Sequence, residues 1–248
     1  MAYGAGVYRR RIELTAEDGR VVGELHDDFH HFRVVLTHDG THILTAEGEA
    51  VRFPWSSCGR SPDALAAVVG APLTDRVSGL GEHADIRANC THLFDTAALG
   101  VAHAAAGRAH RVYEVAVPDR DDEWITRPTL DRDGERLLEW TVDRREILDP
   151  EPYAGVSLRQ GFVEWADRTL DRETAEAAIV LRRASMISFG RAQDLDAHET
   201  AGELGDIMSG TCFTFTPGVM ETSIRMKGST REFPDAAPPT AAGSGSSG

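Results

Sequence analysis

The sequence predicts an α+β fold: an antiparallel strand meander with helices packed on one face, followed by a second α+β unit. Three observations predict it. Near the N-terminus, apolar and polar residues alternate with the two-residue period of half-buried strands. Asp39-Gly40 sits between two such runs, a strong short-range hairpin signal. Beyond residue 60 the apolar spacing changes to three and four, bounded by helix start and stop residues.

The elements follow in order. Residues 8–14 and 20–26 read as strands around the turn Glu17-Asp18-Gly19. Residues 30–37 place Phe32, Val34 and Leu36 on one face and His31, Arg33 and Val35 on the other, and 41–50 complete the meander. Ser61-Pro62-Asp63 supplies an N-cap, a first-turn proline and a first-turn acid, and Gly70 a stop, so a short helix is predicted over 62–69. A linker, 71–88, leads to an alanine-rich helix over 91–106, with Phe94, Ala98, Val101 and Ala105 on its apolar stripe and Gly107 at its end.

The second unit starts near His110. Residues 113–117 and 136–142 read as strands around a charged, solvated stretch, 119–123, with Arg132-Asp133-Gly134 as a turn. Helices are predicted over 158–168 and 172–189; in the second, Ala177, Val180, Leu181, Ala184 and Ile187 can face a core. A short helix at 201–209 leads to 210–215, whose alternation predicts a strand containing Cys212 as a core residue. The organisation expected is 8–109, 110–233, and a disordered, linker-like tail, 234–248.

Composition narrows the partners. Lys+Arg 26 against Asp+Glu 40 leaves a net charge of −14, a field that repels nucleic acid, and no basic stripe offsets it. The apolar runs fall short of the ~20 residues of a membrane span, and the N-terminus lacks the apolar stretch of a secretory signal, so a cytoplasmic location is expected. Lys227 is the only lysine and Asn89 the only asparagine, the mark of a GC-rich genome. A small-molecule substrate is the expected partner, and a homodimer is compatible with the composition. Nucleotide-loop and serine-hydrolase motifs are missing.

The soft ligands are the informative feature. Cys58 lies just upstream of one predicted helix, Cys90 and His92 open another, and His30 heads a strand after Asp27-Asp28. A helix N-terminus carries partial positive charge, which favours a thiolate. Thiolate and neutral imidazole suit zinc, so His30, Cys58, Cys90 and His92 form a candidate tetrahedral site. If His30 does not reach, three ligands leave a position for water or substrate and a Lewis acid results. A metal-free alternative makes Cys90 a nucleophile and His92 its base. The structural alternative has both cysteines as small buried hydrophobes. Arg182, Arg183 and Arg191 could clamp a substrate anion or form ion pairs with neighbours such as Glu176. Trp55 could wall the pocket or cap the core. His26, His38 and His42 flank turns and are expected at the surface.

Two runs carry family resemblances. Cys58-Gly59-Arg60-Ser61-Pro62-Asp63-Ala64-Leu65, with Val69-Gly70 and Asn89-Cys90-Thr91-His92-Leu93-Phe94-Asp95-Thr96-Ala97, resembles the U-type iron–sulfur cluster assembly scaffold over about residues 10–108. That resemblance implies a strand meander with helices on one face, and matches Cys58 and Cys90 to two cysteines that hold zinc or a nascent cluster. The scaffold's first cysteine has no counterpart here; its place is nearest to His30.

A broader resemblance, to the bacterial domain-of-unknown-function family 2889, runs through most of the chain. It rests on Asp18-Gly19, His30, Pro54-Trp55-Ser56-Ser57-Cys58, Cys90-Thr91-His92-Leu93, Leu181-Arg182-Arg183-Ala184, Gly210-Thr211-Cys212-Phe213 and Gly228-Ser229-Thr230-Arg231-Glu232-Phe233. It implies that Cys58, Cys90 and His92 belong together. The functional expectation is a zinc- or thiolate-dependent enzyme of hydrolytic, acyl-transfer or lyase type on a small anionic organic substrate. The alternative is a metal or iron–sulfur carrier, with iron or a cluster in place of zinc.

Overall fold

A computed structural model of the protein describes residues 3–233, and the expected tail lies outside the described residues. Nine strands and four α-helices are described, with 3₁₀ segments between them. The meander is β1 (Val7–Glu17), β2 (Arg20–Asp27), β3 (His31–His38) and β4 (Ile43–Arg52). In β1 every second residue is buried, Tyr8, Arg10, Ile12 and Leu14, as a strand covered on one face requires. The β1–β2 turn puts both Asp18 (φ 49) and Gly19 (φ 75) in the left-handed region, which matches the twist of the flanking strands.

β5 (His110–Pro118), β6 (Thr129–Arg132) and β7 (Glu135–Glu139) extend this sheet rather than start another. The seven-stranded order is β4-β3-β2-β1-β5-β6-β7, antiparallel throughout. The expected division near residue 110 is therefore not a seam in the sheet. β5 lies on β1 from Val7 opposite Pro118 to Thr15 opposite His110, covering an edge that would otherwise expose unpaired backbone groups. β8 (Thr141–Val142) and β9 (Ile147–Asp149) form a separate small ribbon.

Helices cover one face. α1 (Thr91–Ala105) packs on β1, β2 and β3, and its Leu93, Phe94, Ala97 and Val101 join Phe32, Val34, Leu36, Leu65 and Val68 in one core. α2 (Phe162–Thr169) and α3 (Arg172–Ile187) supply Phe162, Ala177, Leu181 and Ala184 to a second core with Tyr8, Ile12, Tyr113, Val115 and Trp140. The opposite face of the sheet carries charged rows such as Arg11–Glu114 and Arg33–Glu49. α4 (Gly205–Met208) is a single turn. Among the described residues no helix is long and apolar enough to cross a membrane.

Several boundaries differ from expectation. The helix expected over 62–69 is a longer 3₁₀ segment, Ser56–Val68, with Pro62 inside it. Residues 210–215 form no strand; Cys212 instead caps a 3₁₀ turn, Phe213–Phe215, whose Phe213 N–H donates to Asn89 O. The alternation there reflects Thr214 and Phe215 reaching the core from a turn. The strand expected over 136–142 breaks at Trp140, which turns inward against Tyr153 and Phe162. α2 starts at Phe162, because the carbonyls of Leu158 and Arg159 are held by Arg182. Asp119 and Arg120 are buried, so the solvated stretch is confined to residues 121–123.

The approach of α1 to the sheet is set by Gly23 of β2. A Cβ at this position would lie 2.6 Å from Thr96 Cγ2 and 3.1 Å from Leu14 Cδ2. Thr96 cannot swing away freely, since its hydroxyl donates to His92 O at 2.8 Å. Gly23→Ala should destabilise by about 1–3 kcal/mol in urea unfolding. Gly81→Ala, whose Cβ would meet nothing within 4 Å, should stay within about 0.5 kcal/mol of the parent protein.

Candidate metal centre

The site is built on the β2–β3 hairpin, closed by Asp27 N–H donating to His30 O at 2.8 Å around Asp28-Phe29. Neither central residue is glycine or has positive φ, so a side chain stabilises the turn in place of the usual backbone preference. Asp27 Oδ1 accepts from the Phe29 and His30 N–H groups, both at 2.8 Å, and from His30 Nδ1 at 3.0 Å. Its Oδ2 accepts from Tyr8 Oη (2.7 Å) and from Arg10 Nε (3.0 Å) and Nη2 (2.6 Å). Burial alone would raise this carboxyl; the neighbouring His30 and Arg10, both donating hydrogen bonds to it, outweigh that and hold it well below the ordinary range.

The hairpin is fastened from outside as well. Arg52 donates to the carbonyls of Asp28 (2.9 Å), His30 (3.0 Å) and Ser229 (2.8 Å), and to that of Asp27. Arg191 Nη1 reaches Asp28 Oδ2 at 2.9 Å, and Arg231 N–H donates to Asp28 O at 2.8 Å.

α1 brings His92 to this hairpin. The rings of His30 and His92 stack with centroids 3.8 Å apart at 29°, and Phe32 flanks both. His92 is buried, which with the nearby His30 and Arg10 pushes its pKa well below the ordinary value and keeps it neutral. Its Nε2 is buried without a hydrogen-bond partner. One ligand atom each from Asp27, His30 and His92 lies within 4.8 Å of the others, the only such His/Cys/Asp/Glu group of three or more among the described residues.

The expected Cys₂His₂ cage is therefore not assembled. His30 and His92 come together; Cys58 and Cys90 stand apart from them. Cys90 caps α1 while His92 is the second residue inside it, and side chains two apart on a helix point to nearly opposite sides. Cys58 Sγ lies 3.1 Å from Thr214 Oγ1, and burial pushes its thiol up. Burial also pushes Cys90 up to about 12, outweighing the helix N-terminus that the sequence suggests would favour a thiolate. Cys212 is half-buried beside this thiol cluster.

The arginines are committed elsewhere. Arg182 donates to the carbonyls of Leu158 (2.6 Å) and Arg159 (2.8 Å), and Arg191 pairs with Asp28 and with Asp119 (2.8 Å). Arg183 pairs with Asp95 of α1 at 2.6 Å, while Glu176 meets Arg108 and Tyr113 instead. Of the three, only Arg183 borders a small crevice between the sheet, α1 and α3, a space of about 20 Å³ lined also by Arg10, Asp95 and Leu99 and by neither His30 nor His92. Trp55 is buried against Phe215 and Arg225, away from that crevice. His42 is exposed, His38 half-buried, and His26 half-buried against His31 and Phe233.

Asp27, Tyr8, Arg10 and Arg52 are the residues that sequence reasoning missed as parts of the site. A signal existed for one of them: Arg10 falls on the same strand face as Tyr8, Ile12 and Leu14, and a charge in a core row demands a buried partner. Comparison of the chain with protein-family models and with curated proteins gave no match.

Asp27→Asn would leave the Arg10 guanidinium, 2% exposed, without its counter-charge. We expect a loss of about 3–5 kcal/mol in denaturant unfolding, partly recovered when Arg10→Met is added. A cost below about 1 kcal/mol would mean that Asp27 does not hold the hairpin.

Proposed function

We propose that the protein binds one divalent transition-metal ion, zinc foremost, through His30 and His92. The ion would serve a hydrolytic, acyl-transfer or lyase-type reaction on a small anionic substrate. The observation that carries this reading is the buried, neutral and unpartnered Nε2 of His92, stacked on an imidazole whose Nδ1 is held by a buried carboxylate. An unpaired buried polar atom costs about 1–3 kcal/mol, which a bound ion would remove. A carboxylate on one nitrogen of a histidine fixes the tautomer and leaves Nε2 as the donor, the usual support for a metal-ligating imidazole.

Asp27 fits the role of orienter better than that of ligand, because its two oxygens already accept six hydrogen bonds. In stacked rings the in-plane lone pairs run side by side, so loading requires one imidazole to turn about χ2. Two histidine ligands leave positions for water and substrate, and an ion so held can polarise a carbonyl or supply hydroxide near neutral pH. Iron would suit the same donors, whereas an iron–sulfur cluster requires thiolates. Cys58 and Cys90 are buried thiols outside the histidine pair, so the iron–sulfur form of the carrier reading has no thiolates at this site.

Zinc titration followed by calorimetry and elemental analysis should give about one equivalent bound. His30→Ala and His92→Ala should each weaken binding at least about tenfold (~1.4 kcal/mol), and Cys58→Ser should leave it unchanged. The cobalt-loaded protein should lack a thiolate charge-transfer band. Retention of zinc by the His30→Ala/His92→Ala double variant would refute the reading.

A further inference from the structure

Away from the histidine pair, we propose that the loop over residues 119–126 carries a carboxylate-binding site built on Arg120. Arg120 is 3% exposed, and its Cζ lies 3.8 Å over the Phe189 ring, so one face of the guanidinium is covered by an aromatic ring. Its Nε and Nη2 atoms are both buried without a hydrogen-bond partner. These two N–H groups share one edge of the guanidinium, the fork that takes the two oxygens of a carboxylate side-on. A buried arginine with this edge open is uncommon, because desolvation penalises the charge and no acceptor lies on the edge itself; the Tyr3 hydroxyl and Asp143 are the other groups that favour its charged form.

The acids nearby are used elsewhere. Asp119 pairs with Arg191 and accepts from the Gly4 and Gly6 N–H groups (3.1 and 3.0 Å). Asp121 Oδ1 accepts from the N–H groups of Glu123 (3.0 Å) and Ile125 (2.8 Å), closing the loop on itself. Asp143 Oδ1 accepts from those of Arg145 (2.7 Å) and Glu146 (2.8 Å), and its charge attracts Arg120 without bonding to the Nε/Nη2 edge.

A second cation stands close by. Arg144 lies with its Cζ 3.5 Å over the Trp124 ring, near enough for the two guanidinium charges to repel. Trp124 is held at φ 65, a left-handed conformation that a bulky residue rarely adopts. Two guanidinium groups, each stacked on an aromatic ring and neither within ion-pair distance of an acid, thus stand close together beside an acidic loop in a chain of net charge −14. The covered Arg120 edge favours a small flat group over a tetrahedral one, and the exposed Arg144 is the part free to move as the ligand enters. The ligand class is thus a small organic carboxylate.

The test is titration of the metal-free full chain with succinate in chloride buffer, read by calorimetry and by the Arg120 Nε–H resonance. Saturable binding that shifts this resonance is expected. Arg120→Lys, which keeps the charge and loses the fork, should weaken binding at least about tenfold (~1.4 kcal/mol). His92→Ala should leave it intact, which separates this site from the metal centre. No saturation, a silent Arg120 resonance in the parent protein, undiminished binding by Arg120→Lys, or inorganic phosphate binding as tightly as succinate would each overturn the proposal.

Discussion

The buried Asp27 carboxylate is the interaction on which the rest of the site depends. One fully covered anion receives a phenol, a guanidinium, two backbone amides and an imidazole. An isolated carboxylate could not stay ionised there; it does so because Arg10 neutralises it and donors surround both oxygens. The same atoms shape a hairpin whose residues would not otherwise favour a tight turn, and they set the plane of His30. Fold and site share one constraint: what closes β2 onto β3 also presents an oriented imidazole to α1.

That sharing explains why the site is rigid on one side and unfinished on the other. The His30 side is over-determined, with Arg52 holding carbonyls of the hairpin and of the C-terminal segment together. The His92 side depends on α1 lying close over Gly23, and it ends in a nitrogen with no partner. The proposed ion would give that nitrogen the partner that the fold itself does not supply.

The two-residue alternation made β1 to β4 legible nearly to their ends, and the caps around α1 placed that helix within a residue. Alternation shows that a strand has a buried face, yet it is silent about which strand lies beside it. Hence β5 reads as the start of a new unit although it completes the edge of β1. The nearness of His30 and His92 was readable from one histidine at a strand head and another in a helix first turn. The divergence of Cys90 from His92 is hidden in the sequence because residues close in the chain need not share a direction; helical geometry separates them. Arg182 and Arg191 look like ligand-binding residues by type, but carbonyls and aspartates distant in sequence already occupy them.

The most direct check on this account is X-ray absorption at the zinc edge of the metal-loaded protein. The account predicts a first shell of nitrogen and oxygen only, near 2.0–2.1 Å, with the outer-shell scattering of two imidazoles. A sulfur shell near 2.3 Å would contradict it, because it would place the ion among the thiols instead of between the histidines.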